Sequence, residues 1–267
     1  MEPTITRVEG LELRVDAAGD RAHARPLLLI GGIGANIEMW RPLRAHLGDL
    51  PTLAYDAPGT GRSQTPMVPL RMHGLARVAL RLLDTLGIGD ADVLGYSFGG
   101  AVAQQLARDA PQRVRRLILA ATHAGMVSLR RPQALLHMLT PLRYHSVTHL
   151  RRALPAIAGG RTARDPALLA QHARDRLIAP PSFWGYQSQL FAMTGWTSAP
   201  WLRQLNQQTL VLAGNDDPLI PLVNARFLAR RMPRARLHVV PGGGHLFLID
   251  QPGDAVRVVR HFLSEPD

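Results

Sequence analysis

The stretch Ala91-Asp92-Val93-Leu94-Gly95-Tyr96-Ser97-Phe98-Gly99-Gly100-Ala101-Val102 passes from a short apolar run to small residues at helical spacing, with a serine bracketed by glycines two positions away on each side. An apolar run of that length reads as a strand buried on both faces, and the residues after the serine read as a helix over 99–109. The serine then sits on a sharp strand-to-helix turn, the context required of a G-x-S-x-G nucleophile elbow. The glycines have a steric reason: bulk at Gly95 or Gly99 collides with the neighbouring strand and helix, and the turn itself is strained. The helix amino terminus beneath Ser97 would place free N–H groups and positive dipole beside a developing oxyanion.

The same alternation extends outward. Residues 26–30 form an apolar run closed by Gly31-Gly32, followed by helical spacing over 37–47; strand 52–55, helix 70–86, strand 91–95, helix 99–109 and strand 116–121 continue it. After a gap come strand 209–213, helix 222–232, strand 237–240 and a closing helix over 254–263. Strands alternating with helices imply right-handed crossovers and a mostly parallel sheet flanked by helices. Residues 4–8 and 11–15 alternate in polarity and read as an antiparallel hairpin. From about 124 to 200 the alternation gives way to amphipathic stretches broken by Pro132, Pro141, Pro155, Pro166, Pro180 and Pro181. An excursion of that size reads as a helical cap over the sheet edge, inserted between two late strands, which divides the chain into a core of 1–123 and 201–267 and a cap of 124–200.

Composition narrows the function classes. The chain has 267 residues, 46% hydrophobic and 19% charged, values of an ordinary globular protein. Its 31 basic side chains are all arginine and exceed the acidic ones by 11. The arginine clusters at Arg113, Arg115, Arg116 and at Arg230, Arg231, Arg234, Arg236 lie near helix ends, without interleaved aromatics for base stacking, so no nucleic-acid partner is expected. With no cysteine, thiolate nucleophiles and disulfides are excluded. The start of the chain lacks the pattern of a secretory signal and no run suits a transmembrane segment, so a cytoplasmic location is expected.

A serine hydroxyl needs an adjacent base, and the base an acceptor behind it. His245, at the end of Gly242-Gly243-Gly244 after the last predicted strand, is the candidate base, and Asp216 or Asp217, after the preceding strand, the candidate acid. The order Ser, Asp, His puts each at the carboxyl end of a parallel strand. His123 follows strand 116–121 on the same rim and reads as pocket-lining. The loop Gly31-Gly32-Ile33-Gly34 could aim a backbone N–H at a substrate carbonyl. Asp56 and Ser63, in Asp56-Ala57-Pro58-Gly59-Thr60-Gly61-Arg62-Ser63, read as structural turn residues. No metal or organic cofactor is called for by this chemistry.

Together these motifs resemble the α/β-hydrolase superfamily over nearly the whole chain. Gly32-Ile33-Gly34-Ala35-Asn36, Leu119-Ala120-Ala121-Thr122, Gly195-Trp196-Thr197-Ser198, Asp216-Asp217-Pro218-Leu219-Ile220-Pro221 and Gly244-His245-Leu246-Phe247-Leu248-Ile249 look like those of intracellular medium-chain-length polyhydroxyalkanoate (PHA) depolymerases. That resemblance implies an α/β-hydrolase fold, Asp217 as the acid, and the Ile33 and Phe98 N–H groups as oxyanion donors. The chain departs from the pattern at Phe98, where tryptophan is expected, and at Gly31, where asparagine is expected. The implied reaction is hydrolysis of an aliphatic ester through an acyl-enzyme on Ser97, with a hydrophobic ester or polyester as substrate and a PHA granule surface as partner. Cap residues Leu135, Leu136, Met138, Leu139, Phe183, Trp184, Phe191, Met193 and Trp196 suit a hydrophobic acyl chain, with Trp184, Phe191, Trp196 and His123 as substrate-binding candidates. A carboxylesterase for other hydrophobic esters and a non-catalytic ligand-binding protein are the alternatives.

Overall fold

A computed structural model describes residues 2–19, 24–126, 128, 134 and 136–266. Strands β1 (Thr4–Val8), β2 (Leu11–Ala18), β3 (Leu27–Ile30), β4 (Thr52–Tyr55), β5 (Ala91–Tyr96), β6 (Val114–Ala120), β7 (Gln208–Gly214) and β8 (Ala235–Val240) form one sheet in the order β1-β2-β4-β3-β5-β6-β7-β8. The hairpin β1–β2 turns at Glu9 and Gly10, both at positive φ, as a tight two-residue reversal demands. β2 runs three residues beyond expectation to Ala18 and joins the sheet antiparallel to β4; all later pairings are parallel.

The core follows the pleat. Val93, Leu117 and Val211 face a layer formed by α2 (Met72–Thr85), α3 (Phe98–Asp109) and α8 (Leu222–Arg231). Their neighbours Leu94, Ile118 and Leu212 face α1 (Arg41–Leu47), α9 (Phe247–Asp250) and α10 (Pro252–Ser264) on the other side. Because both faces are covered, β3, β4 and β5 are buried throughout, which is why they read as unbroken apolar runs. The expected helix at 37–47 is divided: Ile37–Trp40 is a 3₁₀ turn and α1 begins at Arg41, with Pro42 in its first turn, where a missing N–H is tolerated.

Between β6 and β7 lie α4 (Leu142–His145), α5 (Val147–Ile157), α6 (Pro166–Ile178) and α7 (Phe183–Met193). Local chemistry starts three of them: the side chains of Ser146, Asp165 and Ser182 cap α5, α6 and α7 by accepting N–H bonds from their first turns. A bridge between Gly125 and Thr197 joins the two ends of this segment. Pro132 and Leu135 lie outside the described residues.

Asp56 and Ser63 are structural, as the sequence suggested. Asp56 is fully buried and accepts the N–H of Ile37 at 2.7 Å and of Arg62 at 2.9 Å, while Arg14 pairs with Glu38 at 2.7 Å and stands 3.5 Å from Asp56. The Ser63 hydroxyl donates to the Asp56 carbonyl at 2.7 Å. Several of the clustered arginines are likewise engaged within the chain: Arg113 pairs with Asp84 at 2.6 Å, Arg115 with Asp92 at 2.7 Å, and Arg116 is buried against the carbonyls of Phe262 and Glu265. Among the described residues no helix is long and apolar enough to cross a membrane.

Candidate active site

Ser97 lies between β5 and α3 at φ 54° and ψ −117°, a left-handed conformation that an L-residue holds only under constraint. The constraint is visible. Ser97 N–H donates to the Ala120 carbonyl at 2.9 Å, and its own carbonyl accepts from the Thr122 hydroxyl at 2.7 Å. A Cβ at Gly95 would come within 2.5 Å of the Gly99 carbonyl oxygen, and one at Gly99 would overlap the Ile30 carbonyl oxygen. Both glycines of the motif are therefore required for β3, β5 and α3 to meet so closely.

His245 follows β8 in a glycine loop threaded between the end of β7 and the chain leaving α5. Its N–H donates to Ala158 at 2.5 Å, its carbonyl accepts from the Tyr96 hydroxyl at 2.7 Å, and the two rings stand 5.4 Å apart. So held, the imidazole has Nε2 3.1 Å from Ser97 Oγ and Nδ1 2.8 Å from Asp217 Oδ2. Asp217 is fixed from behind, because its Oδ1 accepts the N–H groups of Leu219 at 2.9 Å and Ile220 at 2.8 Å. All three residues are buried, each at most 9% exposed. The choice between adjacent aspartates, which spacing left open and the family resemblance made for Asp217, has a geometric counterpart. Asp216 turns away to accept from Gly160 N–H at 3.0 Å and from Arg164 at 2.8 Å, and only Asp217 meets the imidazole. Burial and the nearby Asp217 carboxylate raise the Tyr96 phenol well above its usual range, so it acts as a neutral donor. A hydroxyl, an imidazole and a carboxylate in this chain can move a proton off the hydroxyl as it attacks a carbonyl and return it to a leaving group.

The loop after β3 borders the serine: a Cβ at Gly32 would lie 3.4 Å from Ser97 Cβ. Among the described residues, neither the Ile33 N–H in this loop nor the Phe98 N–H at the head of α3 has a partner within the chain. Two side chains from the helical segment hold the loop. Gln189 accepts the Gly34 N–H at 2.7 Å, and the Tyr144 hydroxyl donates to the Ile33 carbonyl at 2.5 Å.

Two cavities meet at Ser97, sharing Ile33, Met138 and Leu219. One is lined by His123, Leu190, Met193 and Ile220; the other passes His245 to Tyr144, Arg143 and Arg176. Of the four substrate-binding candidates, only His123 lines either cavity. The three aromatics lie elsewhere. Trp184 is 72% exposed and packs edge-on to Phe183; Phe191 is 39% exposed beneath the Arg71 guanidinium; Trp196 is buried, donating to Gln105 at 2.8 Å and edge-on to Trp201. The reason is helical phase: α7 buries Tyr186 and Gln189 and turns Leu190 and Met193 to the cavity, so Trp184 and Phe191, a turn or two apart, share the outer face. Leu136 and Leu139, expected at the acyl chain, are also exposed, and Leu135 lies outside the described residues. Sequence reasoning missed Arg143, Tyr144, Arg176 and Gln189, because polar residues within amphipathic stretches carry no mark of pointing inward. Among the described residues no group of three His, Asp or Glu side chains is placed to hold a metal ion.

The fold and the strand-end arrangement of this site are those of the α/β-hydrolases. A family model described as the alpha/beta hydrolase fold matches residues 25–252, and the chain belongs to that family. A poly(3-hydroxyalkanoate) depolymerase of Ectopseudomonas oleovorans is 45% identical to it, over 99% of this chain and 94% of its own. A 3-oxoadipate enol-lactonase of Acinetobacter baylyi is 29% identical over 85% of each chain. Among solved structures, an enol-lactonase from Burkholderia xenovorans LB400 superposes with a TM-score of 0.84 at 28% identity, covering 98% of this chain and all of that one. The chain is an enzyme of the ester-cleaving hydrolase class.

Proposed function

We propose that the protein hydrolyses aliphatic polyester, with medium-chain-length poly(3-hydroxyalkanoate) as its substrate, through an acyl-enzyme on Ser97. His245 takes the Ser97 proton and passes it to the leaving alcohol, Asp217 holds the imidazole and stabilises its cation, and the N–H groups of Ile33 and Phe98 receive the oxyanion. Water then attacks the acyl-enzyme with His245 again as base. The observation that carries the reading is the hydroxyl–imidazole–carboxylate chain at 3.1 and 2.8 Å. The substrate class is supported by the depolymerase that is 45% identical over nearly the whole chain. An apolar cavity of Met138, Leu190, Met193, Leu219 and Ile220 beside Ser97 fits an alkyl chain. The segment 124–200 acts as a lid, and its exposed Leu136, Leu139, Phe183 and Trp184 meet the surface of a polymer granule in the cytoplasm.

The test is turbidity loss and product analysis on a medium-chain polymer latex, with Ser97→Ala as control and fluorophosphonate labelling to count reactive serines. Clearing that depends on Ser97 and yields hydroxy acids or their short oligomers is the expected result. Rapid turnover of short soluble esters with no clearing would transfer the protein to the carboxylesterases, and absence of covalent labelling at Ser97 would remove it from serine catalysis.

A further inference from the structure

Arg143 and Arg176 are each only 4% exposed and line the cavity that also contains Ser97 and His245. A guanidinium withdrawn from water needs an anion or a full set of acceptors. Arg143 has acceptors: the carbonyls of His137 at 3.1 Å and Thr140 at 3.3 Å and the Tyr186 hydroxyl at 2.8 Å, with its guanidinium 4.7 Å from the Tyr144 ring centre. Arg176 differs. Among the described residues its Nε and Nη1 are buried without a hydrogen-bond partner, and the Tyr144 ring stands 5.1 Å from its guanidinium. Among the described residues no carboxylate pairs with either arginine. Burial, with Arg143 nearby, lowers the Arg176 pKa from its usual value, as expected of a cation that the fold leaves uncompensated.

We infer that Arg176, seconded by Arg143, receives a carboxylate of the substrate, so that the enzyme prefers esters bearing a free acid group in the same molecule. The inference rests on Ser97 being the hydrolytic centre, and it deepens that reading. A planar guanidinium with unused donors matches a carboxylate edge to edge. The two cavities meeting at Ser97 then divide the work, one taking alkyl and the other the acid end. A polyester of hydroxy acids presents such a group at one terminus of each chain and on each short oligomer. The site therefore favours oligomers and that terminus over internal bonds.

The experiment compares kcat/KM for two matched pairs: a 3-hydroxyoctanoate dimer against its methyl ester, which places the acid on the leaving-group side, and monomethyl suberate against dimethyl suberate, which places it on the acyl side. At least a tenfold preference for the free acid in one pair is expected, and that pair identifies the side. Arg176→Met should bring the preference toward unity, and Arg176→Lys, which keeps charge without the fork, should fall between. Equal rates within both pairs, or a preference untouched by Arg176→Met, overturn the inference. Binding to the wild-type protein supplies an arm independent of turnover and of the variants' folding. By calorimetry 3-hydroxyoctanoate should bind at least tenfold more tightly than 3-hydroxyoctanamide or inorganic phosphate; equal affinities, or tighter phosphate binding, also overturn it. Failure of the serine reading is distinguishable, since it appears as ester turnover retained by Ser97→Ala while the calorimetric preference stands.

Discussion

The side-chain carbonyl of Gln189, on α7, accepts the Gly34 N–H at 2.7 Å, so a helix of the segment between β6 and β7 fixes the loop that carries the Ile33 amide beside Ser97. This bond crosses 155 positions of sequence, and it ties the helical segment to the loop beside Ser97. Gln189→Met keeps the volume and removes the acceptor. If Ile33 N–H receives the oxyanion, the variant should lose about tenfold in kcat with little change in KM, less than the ~10²–10³ typical of deleting a donor outright. Steady-state kinetics on a short neutral ester measure it; a loss confined to KM would assign Gln189 to substrate contact instead.

Adjacent aspartates offer an internal control. Asp217 lies 2.8 Å from His245 Nδ1, whereas Asp216 is 44% exposed in its pairing with Arg164. Asp217→Asn should lower kcat by roughly 10³–10⁴, because the amide no longer selects the tautomer that accepts from serine. Asp216→Asn should stay within about twofold, since an exposed ion pair contributes little. Comparable losses in both would mean that the loop after β7, rather than the carboxylate, sets the rate.

How far the sequence could be read depends on which physics was local. β5, the turn at Ser97 and α3 were legible because the apolar run, the glycines two positions either side of the serine and the helical spacing all lie within twenty residues, although the clash that bars a side chain at Gly99 comes from Ile30 on β3. Ser97, His245 and the Asp216-Asp217 pair were legible as strand-end residues in order, and the resemblance pointed to Asp217, but the physical reason that Asp216 faces away lies in its partners Gly160 and Arg164 from a distant segment. The pocket was the least legible part. Trp184 and Phe191 look like binding residues by type, yet their place on the outer face of α7 depends on which turn docks on the core, a tertiary fact. Arg143 and Arg176 look like solvated helix residues for the same reason, and both are buried.

Gly95 and Gly253 separate steric need from mere occurrence. A Cβ at Gly95 would lie 2.5 Å from the Gly99 carbonyl oxygen and 2.7 Å from Ala103 Cβ, while one at Gly253, in the first turn of α10, meets nothing within 4 Å. Gly95→Ala should therefore cost about 3 kcal/mol or more, or yield insoluble protein, since neither backbone nor helix can retreat. Gly253→Ala should be neutral or stabilise by up to about 1 kcal/mol through lost freedom in the unfolded chain. Denaturant melts of the two variants against the wild type measure both effects, and a soluble Gly95→Ala protein of unchanged stability would contradict the close packing of β5 on α3.

His172 sets a pH dependence for the helical segment. It is 3% exposed, its Nε2 lies 3.3 Å from the Thr162 hydroxyl, and burial, aided by the Arg176 cation, lowers its pKa to about 3. Thr162 in turn donates to Asp250 at 2.6 Å, and among the described residues no carboxylate meets the imidazole directly, so a proton there would be unpaired. In the unfolded chain the same ring titrates near 6.5. Between these values the unfolded state binds the extra proton, so the stability supplied by neutral His172 is complete above about 6.5 and is lost as pH falls toward 3. At pH 5 the loss is about 2 kcal/mol, being roughly 1.5 units at 1.36 kcal/mol each. His172→Gln keeps a polar group near Thr162 and removes the titration. The fall in unfolding free energy between pH 7 and pH 5 should then shrink by about that amount relative to the wild type, as read by urea melts at the two pH values. Parallel pH profiles for the two proteins would show that His172 is protonated in the fold after all.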